Sequence, residues 1–272
     1  MSNCNTFQHY NYYLQVWIPL GHVIFFKLLV LLVIILITLF AWGYILNFSQ
    51  VKQLGYALYL TNSFGLKLKW TKDPMQKKKL RLAYSLAQLN ALNITINVEN
   101  REKLPHDGQY LLISNHRTII DPPIIEVALK DTDIFGLWVS KKELYNSLFF
   151  GLFVRNAGSI LLDREKEQMS GFFADIKNGV KEGSSIFIFP EGTRNKTDVS
   201  LTPFKEGARI IALKNKLPIL PVYIRDNAAQ ILKDALIDNS QKREITIVIG
   251  DMIDYKEKTD LETIYKERFN LQ

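Results

Sequence analysis

The chain has almost no cysteine and few histidines. Its single cysteine, Cys4, excludes a disulfide framework within the chain and any metal site built from several thiolates. The four histidines are scattered, and no two of them have a metal-ligand spacing such as HExxH. The sequence therefore predicts no bound metal, and it leaves the redox compartment open.

Charge is also absent from one long stretch. Residues 28–46 contain no charged side chain for 19 positions, about the length that a helix needs to cross the core of a bilayer. No Lys or Arg precedes Lys27, which is not the pattern of a cleavable signal peptide. The aromatic residues Trp17 and Trp42 near the ends disfavour a buried core helix as the alternative. We expect a membrane helix over residues 28–46 that persists in the mature protein.

A second apolar segment, residues 51–66, follows and contains Gly55 and Gly65. Two arrangements stay open: one full span by residues 28–46, or a hairpin of both segments that enters a single leaflet. Lys27 alone borders the first run on its N-terminal side, whereas the basic residues after it are Lys52, Lys67, Lys69, Lys72 and Lys77 to Lys79. This asymmetry predicts that the rest of the chain faces the cytoplasm, at a cytoplasmic membrane or an endomembrane.

The formal net charge of +7 suits either nucleic acid or anionic lipid as a partner. The predicted membrane helix favours lipid, and no recognised nucleic-acid motif accompanies the charge. Residues 67–81 hold seven basic side chains against Asp73 alone, a pattern that fits attraction to anionic headgroups and, equally, a solvated helix face. We therefore expect the lipid bilayer as a partner, and no nucleic acid.

The pattern changes after residue 72, which predicts an N-terminal membrane-anchoring region over residues 1–72 and a second domain over residues 73–272. Short apolar runs there alternate with helical patterns, as is typical of an α/β domain. The predicted strands are 94–98, 110–114, 134–139, 159–162, 185–189, 219–223 and 245–249. The predicted helices are 77–92, 122–129, 141–153, 166–181, 205–213 and 260–269. The predicted fold is α/β, with a mixed, mainly parallel central sheet flanked by helices and preceded by a membrane helix or helical hairpin.

The stretch LLISNHRTIID, residues 111–121, places polar residues after a predicted strand. His116 lies at the exit of that strand, where open α/β sheets bind ligands, and Asp121 precedes Pro122 at a predicted helix start. Histidine can accept and return a proton near neutral pH, and a carboxylate bonded to one ring nitrogen fixes its tautomer. The pair predicts a base that activates a hydroxyl. A helix N-cap alone would also explain Asp121, and one carboxylate oxygen could serve the helix while the other binds the imidazole.

Two further strands end in charged residues. Residues 158–164, GSILLDR, end at Arg164, whose planar guanidinium matches a phosphate, although a surface ion pair is the alternative. Residues 186–194, IFIFPEGTR, break at a proline and deliver polar residues into a turn that we interpret as anion-binding, with a charged loop tip as the alternative. Lys205, at a predicted helix start, could add to such a site. Residues 217–222, LPILPV, indicate a buried strand.

In this order and spacing the four blocks resemble those of the glycerolipid acyltransferase family, which includes 1-acylglycerol-3-phosphate acyltransferases. The likeness covers about residues 90–225, where NHRTIID is similar to the family's NHxxxxD block. The resemblance implies that His116 is the catalytic base and that Asp121 orients it. It also implies acceptor binding by Arg164, Glu191, Gly192 and Arg194. Further candidates for substrate binding are Asn115, Arg117, Thr118, Thr193 and Lys205.

The resemblance implies acyl transfer from acyl-CoA or acyl carrier protein to the free hydroxyl of 1-acylglycerol 3-phosphate, giving phosphatidate for phospholipid biosynthesis without a bound cofactor. Amides near Gly192 are candidate donors to the oxyanion that forms. Arg117 and Thr118 stand where a smaller pair such as Gln-Ser is frequent in bacterial members, so the acceptor headgroup can differ. Alternatives are another lysophospholipid, a lyso-ornithine lipid or glycerol 3-phosphate as acceptor, and, from a different class, a non-catalytic lipid-binding membrane protein.

Overall fold

The computed structural model describes residues 48–163 and 169–271, and residues 49–272 form one compact unit. Its strands are β1 (Ile94–Glu99), β2 (Leu111–Ser114), β3 (Gly136–Lys141), β4 (Ser159–Leu162), β5 (Ser185–Ile188), β6 (Ile219–Ile224) and β7 (Arg243–Ile249). The helices of the described residues are α1 (Phe48–Trp70), α2 (Pro74–Ala91), α3 (Asp121–Ala128), α4 (Lys142–Tyr145), α5 (Gly151–Asn156), α6 (Ser170–Lys181), α7 (Gly207–Asn215), α8 (Ala228–Ile237) and α9 (Leu261–Phe269).

The strands form a single seven-stranded sheet in the order β1-β7-β6-β2-β5-β3-β4. All neighbouring pairs are parallel except β6 and β7, which pair antiparallel. The predicted mixed, mainly parallel α/β sheet is thereby confirmed. The central strands β2, β5 and β6 are buried along their whole length, because helices cover both faces of the sheet, and this explains why they read as continuous apolar runs.

Successive side chains along each strand point to opposite faces of the sheet, so the core is divided into two clusters, one on each face. Leu112 and Phe187 belong to one buried cluster, and their neighbours Leu111 and Ile186 belong to the other. Asp73 begins α2 as its N-cap, since its side chain accepts from the Gln76 amide at 2.7 Å. Helix α2 therefore starts at a local sequence signal and is then held in place by the burial of its inward side.

Helix α1 packs on α2 along one side. The Thr61 hydroxyl lies 3.1 Å from the Tyr84 hydroxyl, and the Gln53 side chain donates to the Ala91 carbonyl at 3.1 Å. Gly65 lets α1 approach α5, because a Cβ added at Gly65 would lie 2.8 Å from the Phe153 nitrogen. The division of the chain that we predict at residue 72 stays a prediction, and α1 packs within the same compact unit as the helices and strands that follow it.

The predicted membrane helix over residues 28–46 lies outside the described residues. In the part of the chain that the structure describes, no helix is both long and apolar enough to span a bilayer. The second apolar segment, residues 51–66, is helical and lies within α1. The outward side of α1 carries exposed apolar residues at helical spacing: Val51, Leu54, Leu58, Tyr59, Leu66 and Trp70.

Candidate active site

The candidate site lies where β2 and β5 end side by side. The two strands are parallel neighbours with Ile113 opposite Ile188, so the residues that follow them leave the same edge of the sheet together. His116 follows β2, and the turn with Glu191 follows β5. The first and third blocks of the sequence are thus brought into direct contact by strand pairing.

His116 and Asp121 form the predicted pair. The imidazole Nδ1 lies 2.8 Å from the Asp121 Oδ2, and the side chains are 19% and 1% exposed respectively. The same Oδ2 accepts the backbone amides of Arg117 at 2.6 Å and Thr118 at 2.9 Å. A carboxylate oxygen fixed by two amides can only accept from the imidazole, so Nδ1 carries the hydrogen and Nε2 is the nitrogen free to take a proton.

The interpretation of Asp121 as the helix N-cap is wrong in detail. Ile120 occupies the N-cap position of α3, no side chain caps this helix, and Asp121 is its first residue. The amides bound by Asp121 belong to Arg117 and Thr118, before the helix, and they share Oδ2 with the imidazole. The other oxygen, Oδ1, is buried and has no hydrogen-bond partner among the described residues. The carboxylate therefore shapes the loop that carries His116 as well as orienting its ring.

Glu191 is buried and binds protein groups with both of its oxygens. Its Oε1 accepts the His116 amide at 2.6 Å, and its Oε2 accepts the Thr202 amide at 2.8 Å and the Thr202 hydroxyl. A second link joins the same loops, because the Asn195 amide donates to the His116 carbonyl at 2.7 Å. In this structure Glu191 fastens the His116 backbone to the loop after β5, and the predicted contact with the acceptor stays a prediction.

We expect Glu191→Gln to lower stability, because one end of the glutamine amide cannot accept the hydrogen bond now made there. A buried donor left without a partner costs about 1–3 kcal/mol. Urea denaturation of the detergent-purified protein, followed by tryptophan fluorescence, measures this change. Glu244→Gln, at an exposed position on β7, is the control. If Glu191 acted only on the acceptor, the variant would raise KM and leave the unfolding midpoint unchanged.

Two other predicted site residues are buried with protein partners. The Asn115 side chain donates to the Ile224 carbonyl at 2.9 Å and accepts the Ile224 amide at 2.8 Å. Its backbone amide donates to the Tyr265 hydroxyl at 3.2 Å, and burial raises the pKa of that tyrosine well above its ordinary value. Thr118 is buried as well. Asn115 thus ties the end of β2 to β6. Its predicted contact with substrate stays a prediction.

The basic residues of the site differ in how they are bound. The Arg117 guanidinium donates to the carbonyls of Thr197 and Val199, so it holds the loop after the third block. Arg194 and Lys205 are exposed, and across residues 48–163 and 169–271 neither side-chain cation has a hydrogen bond or an ion pair. Both side chains are therefore available to bind an anionic ligand. Arg164 lies outside the described residues.

The turn after β5 depends on Gly192, whose φ of +71° lies in the left-handed region that favours glycine. Its amide donates to the Phe189 carbonyl at 2.9 Å, which leaves it occupied and weakens it as a donor to an oxyanion. Thr193 is exposed beside Arg194. The Lys205 amide donates to the Pro190 carbonyl at 2.8 Å, and α7 begins two residues later than predicted, at Gly207.

The residues that support the pair could not be identified from the sequence patterns. Phe189 stacks on the His116 ring, with centroids 4.0 Å apart and planes 9° from parallel. Thr202 and Asn195 hold the His116 loop through the contacts described above. Phe189 reads as one more apolar residue of a strand, and the other two read as ordinary loop residues. The position of Phe189 in the third block was the one signal available for it. The contacts that these three residues make join parts of the sequence that are far apart, so the sequence alone does not show them.

The fold and site define a class of protein: an α/β domain that presents a histidine, oriented by a buried carboxylate, at the carboxyl ends of the central strands of a mainly parallel sheet. Comparisons with known proteins make this class specific. A family model described as acyltransferase matches residues 95–225. The 1-acyl-sn-glycerol-3-phosphate acyltransferase of Helicobacter pylori is 36% identical over 118 residues, 43% of this chain and 48% of that protein. The Bacillus subtilis protein of the same name is 32% identical over 139 residues, 51% of this chain and 67% of that protein.

The chain is also similar to the crystal structure of the 1-acyl-sn-glycerophosphate acyltransferase from Thermotoga maritima. The TM-score is 0.58 at 21% identity, over 82% of this chain and 93% of that chain, which shows the same fold. The match spans about half the length of the Helicobacter pylori relative. The chain belongs to the glycerolipid acyltransferase family.

Proposed function

We propose that this protein is a membrane-bound 1-acylglycerol-3-phosphate O-acyltransferase. It would move a fatty acyl group from acyl-CoA or acyl carrier protein to the free hydroxyl of 1-acylglycerol 3-phosphate, giving phosphatidate. The observation that carries the proposal is the Nδ1–Oδ2 contact of His116 with Asp121 at 2.8 Å in a carboxylate already fixed by two amides. The choice of acceptor is supported by the Helicobacter pylori and Bacillus subtilis relatives, which are 1-acyl-sn-glycerol-3-phosphate acyltransferases.

The proposed reaction needs one base and no covalent intermediate. Nε2 of His116 removes the acceptor's hydroxyl proton as the oxygen attacks the thioester carbonyl, and Asp121 stabilises the imidazolium that forms. The tetrahedral intermediate then expels the thiolate, which takes the proton back from Nε2. Both products leave with the histidine returned to its neutral form. The acyl thioester is a substrate in this scheme, and no bound cofactor takes part.

The exposed cations Arg194 and Lys205 would bind the phosphate of the acceptor. Arg117 would act indirectly, since its guanidinium fixes the loop that carries Arg194 by binding the carbonyls of Thr197 and Val199. Binding the phosphate holds the hydroxyl near the base and makes the reaction with the thioester an oriented one. Arg164 and Thr193 remain proposed members of the same substrate site.

We expect Arg194→Ala to raise KM for 1-acylglycerol 3-phosphate by about 10- to 100-fold, because a hydrogen bond to a charged group contributes about 1.5–3 kcal/mol. For a neutral monoacylglycerol acceptor the same substitution should change KM little, since that molecule has no phosphate to lose. Initial rates of acyl transfer in mixed micelles measure both values. Lys177→Ala, at an exposed position in the middle of α6, is the control. An equal loss with both acceptors would contradict phosphate binding by Arg194.

We also propose the membrane as the site of action, with residues 28–46 as the anchor and the catalytic domain facing the cytoplasm. The exposed apolar residues of α1 support this location, because Tyr59 is 67% exposed and Trp70 is 78% exposed on a helix that also carries Lys67 and Lys69. Acceptor and product of the proposed reaction both reside in the bilayer. The enzyme could then act without extracting either lipid into water.

A further inference from the structure

The His116 ring is held on its face as well as at its edge. Phe189 lies parallel to it, with centroids 4.0 Å apart and an interplanar angle of 9°. A hydrogen bond at Nδ1 fixes one edge of an imidazole but constrains tilting about that bond weakly, since terminal ring torsions are broad. The Phe189 ring, which lies flat against the face of the imidazole, prevents this tilting. The direction of Nε2, at the far edge, therefore depends on Phe189 as well as on Asp121.

Phe189 is itself fixed by a chain of buried contacts. Its ring also stacks on Trp138, with centroids 5.2 Å apart and planes at 26°. The Trp138 indole donates to Oε1 of Glu126 at 2.8 Å, and the Nε of Arg81 donates to the same oxygen at 3.0 Å. Trp138, Glu126 and Arg81 are 8%, 7% and 2% exposed. This series of contacts links helix α2, helix α3 and strand β3 to the ring of His116.

This arrangement is more specific than apolar packing requires. A buried ion pair such as Arg81 with Glu126 contributes little to net stability compared with well-packed apolar residues, but it fixes geometry when every group is bonded. The Nη1 of Arg81 donates to the carbonyls of Gly136 at 2.7 Å and Ala157 at 3.3 Å. Strand β5 ends at Ile188, and Phe189 is the next residue. The backbone hydrogen bonds between β5 and its neighbours therefore do not depend on Phe189.

We infer that Phe189 is a positioning residue for the base, and that Trp138, Glu126 and Arg81 hold it in the plane that directs Nε2 toward the acceptor hydroxyl. The inference rests on the proposed function, because it assigns His116 the role of base. It differs from a purely structural role for Phe189 in one respect. Removing the flat ring should damage turnover far more than it damages substrate binding or folding.

The test compares three variants. Phe189→Leu keeps apolar volume but removes the flat face, and we expect kcat to fall about 10- to 100-fold, since a misplacement of about 1 Å can cost a hundredfold. KM for the acceptor should change less than about threefold, because this ring touches no phosphate-binding group. Phe189→Tyr keeps the flat ring and should retain most of kcat. Phe173→Leu, at a half-buried phenylalanine on α6 in the other core cluster, is the matched control.

A second readout needs no substrate. In protein labelled at histidine Cε1 and held in detergent, proton NMR should show the His116 ring proton shifted upfield by the stacked Phe189, with His116→Ala used to assign it. The shift should disappear in Phe189→Leu and persist in Phe189→Tyr and Phe173→Leu. Unchanged kcat in Phe189→Leu, or a loss no larger than in Phe173→Leu, would overturn the inference. If the protein had no acyltransferase activity, the proposed function would fail, while the NMR shift would still report whether Phe189 sets the ring.

Discussion

His116→Ala is expected to lower kcat for acyl transfer by about 100- to 10,000-fold, the usual contribution of a positioned general base. The loss should appear in kcat more than in KM, because the imidazole acts on the hydroxyl proton and leaves the phosphate contacts untouched. Initial rates with labelled acyl-CoA and 1-acylglycerol 3-phosphate in mixed micelles measure it.

The chain offers a matched control in a second His–Asp pair. His106 lies 3.8 Å from Asp133, and both side chains are largely exposed, at 73% and 60%. His106→Ala should therefore leave kcat unchanged. Wild-type turnover in His116→Ala, or an equal loss in the two alanine variants, would refute the assignment of the base.

Asp121→Ala is expected to be nearly as damaging to turnover and also to destabilise the protein. It removes the acceptor shared by the His116 ring and by the amides of Arg117 and Thr118, and each buried amide left unpaired costs about 1–3 kcal/mol. The unfolding midpoint in urea and the initial rate together measure the two effects, with Asp133→Ala as the control.

Asp121→Asn separates the charge from the geometry. The two amides should keep the asparagine carbonyl at the position of Oδ2, so the ring keeps its hydrogen on Nδ1 and loses the negative charge beside it. The asparagine NH2 group then takes the buried position of Oδ1, which has no hydrogen-bond partner among the described residues, so some loss of stability should accompany the loss of charge. We expect about a tenfold fall in kcat, since hydrogen bonds to charged groups exceed neutral ones by roughly 1–1.5 kcal/mol. A loss as large as that of Asp121→Ala would show that the amides do not hold the carbonyl in place.

The strands were predictable because each is a short apolar run between turn residues. All seven predicted strands are present within a few residues of their expected ends, and β4 matches at both ends. Strand order was not predictable, since it depends on long-range pairing, and neither was the antiparallel placement of β7 beside β6. Helix α8, which begins after the Asn227 cap, was missed although its N-cap accepts from Gln230.

One predicted helix failed for a local reason. Residues 141–153 have helical spacing but form the two short helices α4 and α5. Between them the Ser147 hydroxyl accepts the amides of Phe149 and Phe150, each at 3.2 Å. A serine side chain that bonds nearby amides competes with the helical ladder, and the chain turns there.

The candidate pair of His116 and Asp121 was predictable from the position of His116 after a strand and of Asp121 at a helix start, together with the resemblance of the four blocks to the family. The groups that hold them were not, because Glu191, which is itself bonded by Thr202, reaches the His116 amide from the loop after β5, and Phe189 stacks on the His116 ring from just beyond the end of that strand. The ties of Asn115 to β6 and of Arg117 to the loop at Thr197 are likewise products of the fold. The sequence could identify the chemistry of these residues but not which of them bind protein rather than ligand.

The acceptor preference of the purified, detergent-solubilised protein decides whether it transfers acyl groups to 1-acylglycerol 3-phosphate. The assay supplies labelled acyl-CoA with 1-acylglycerol 3-phosphate, glycerol 3-phosphate, a lyso-ornithine lipid and lysophospholipids with other headgroups, each with wild type and with His116→Ala. We expect labelled phosphatidate as the main product, formed by wild type and nearly lost in the variant. Faster transfer to another acceptor, or lysolipid binding without any turnover, would contradict it.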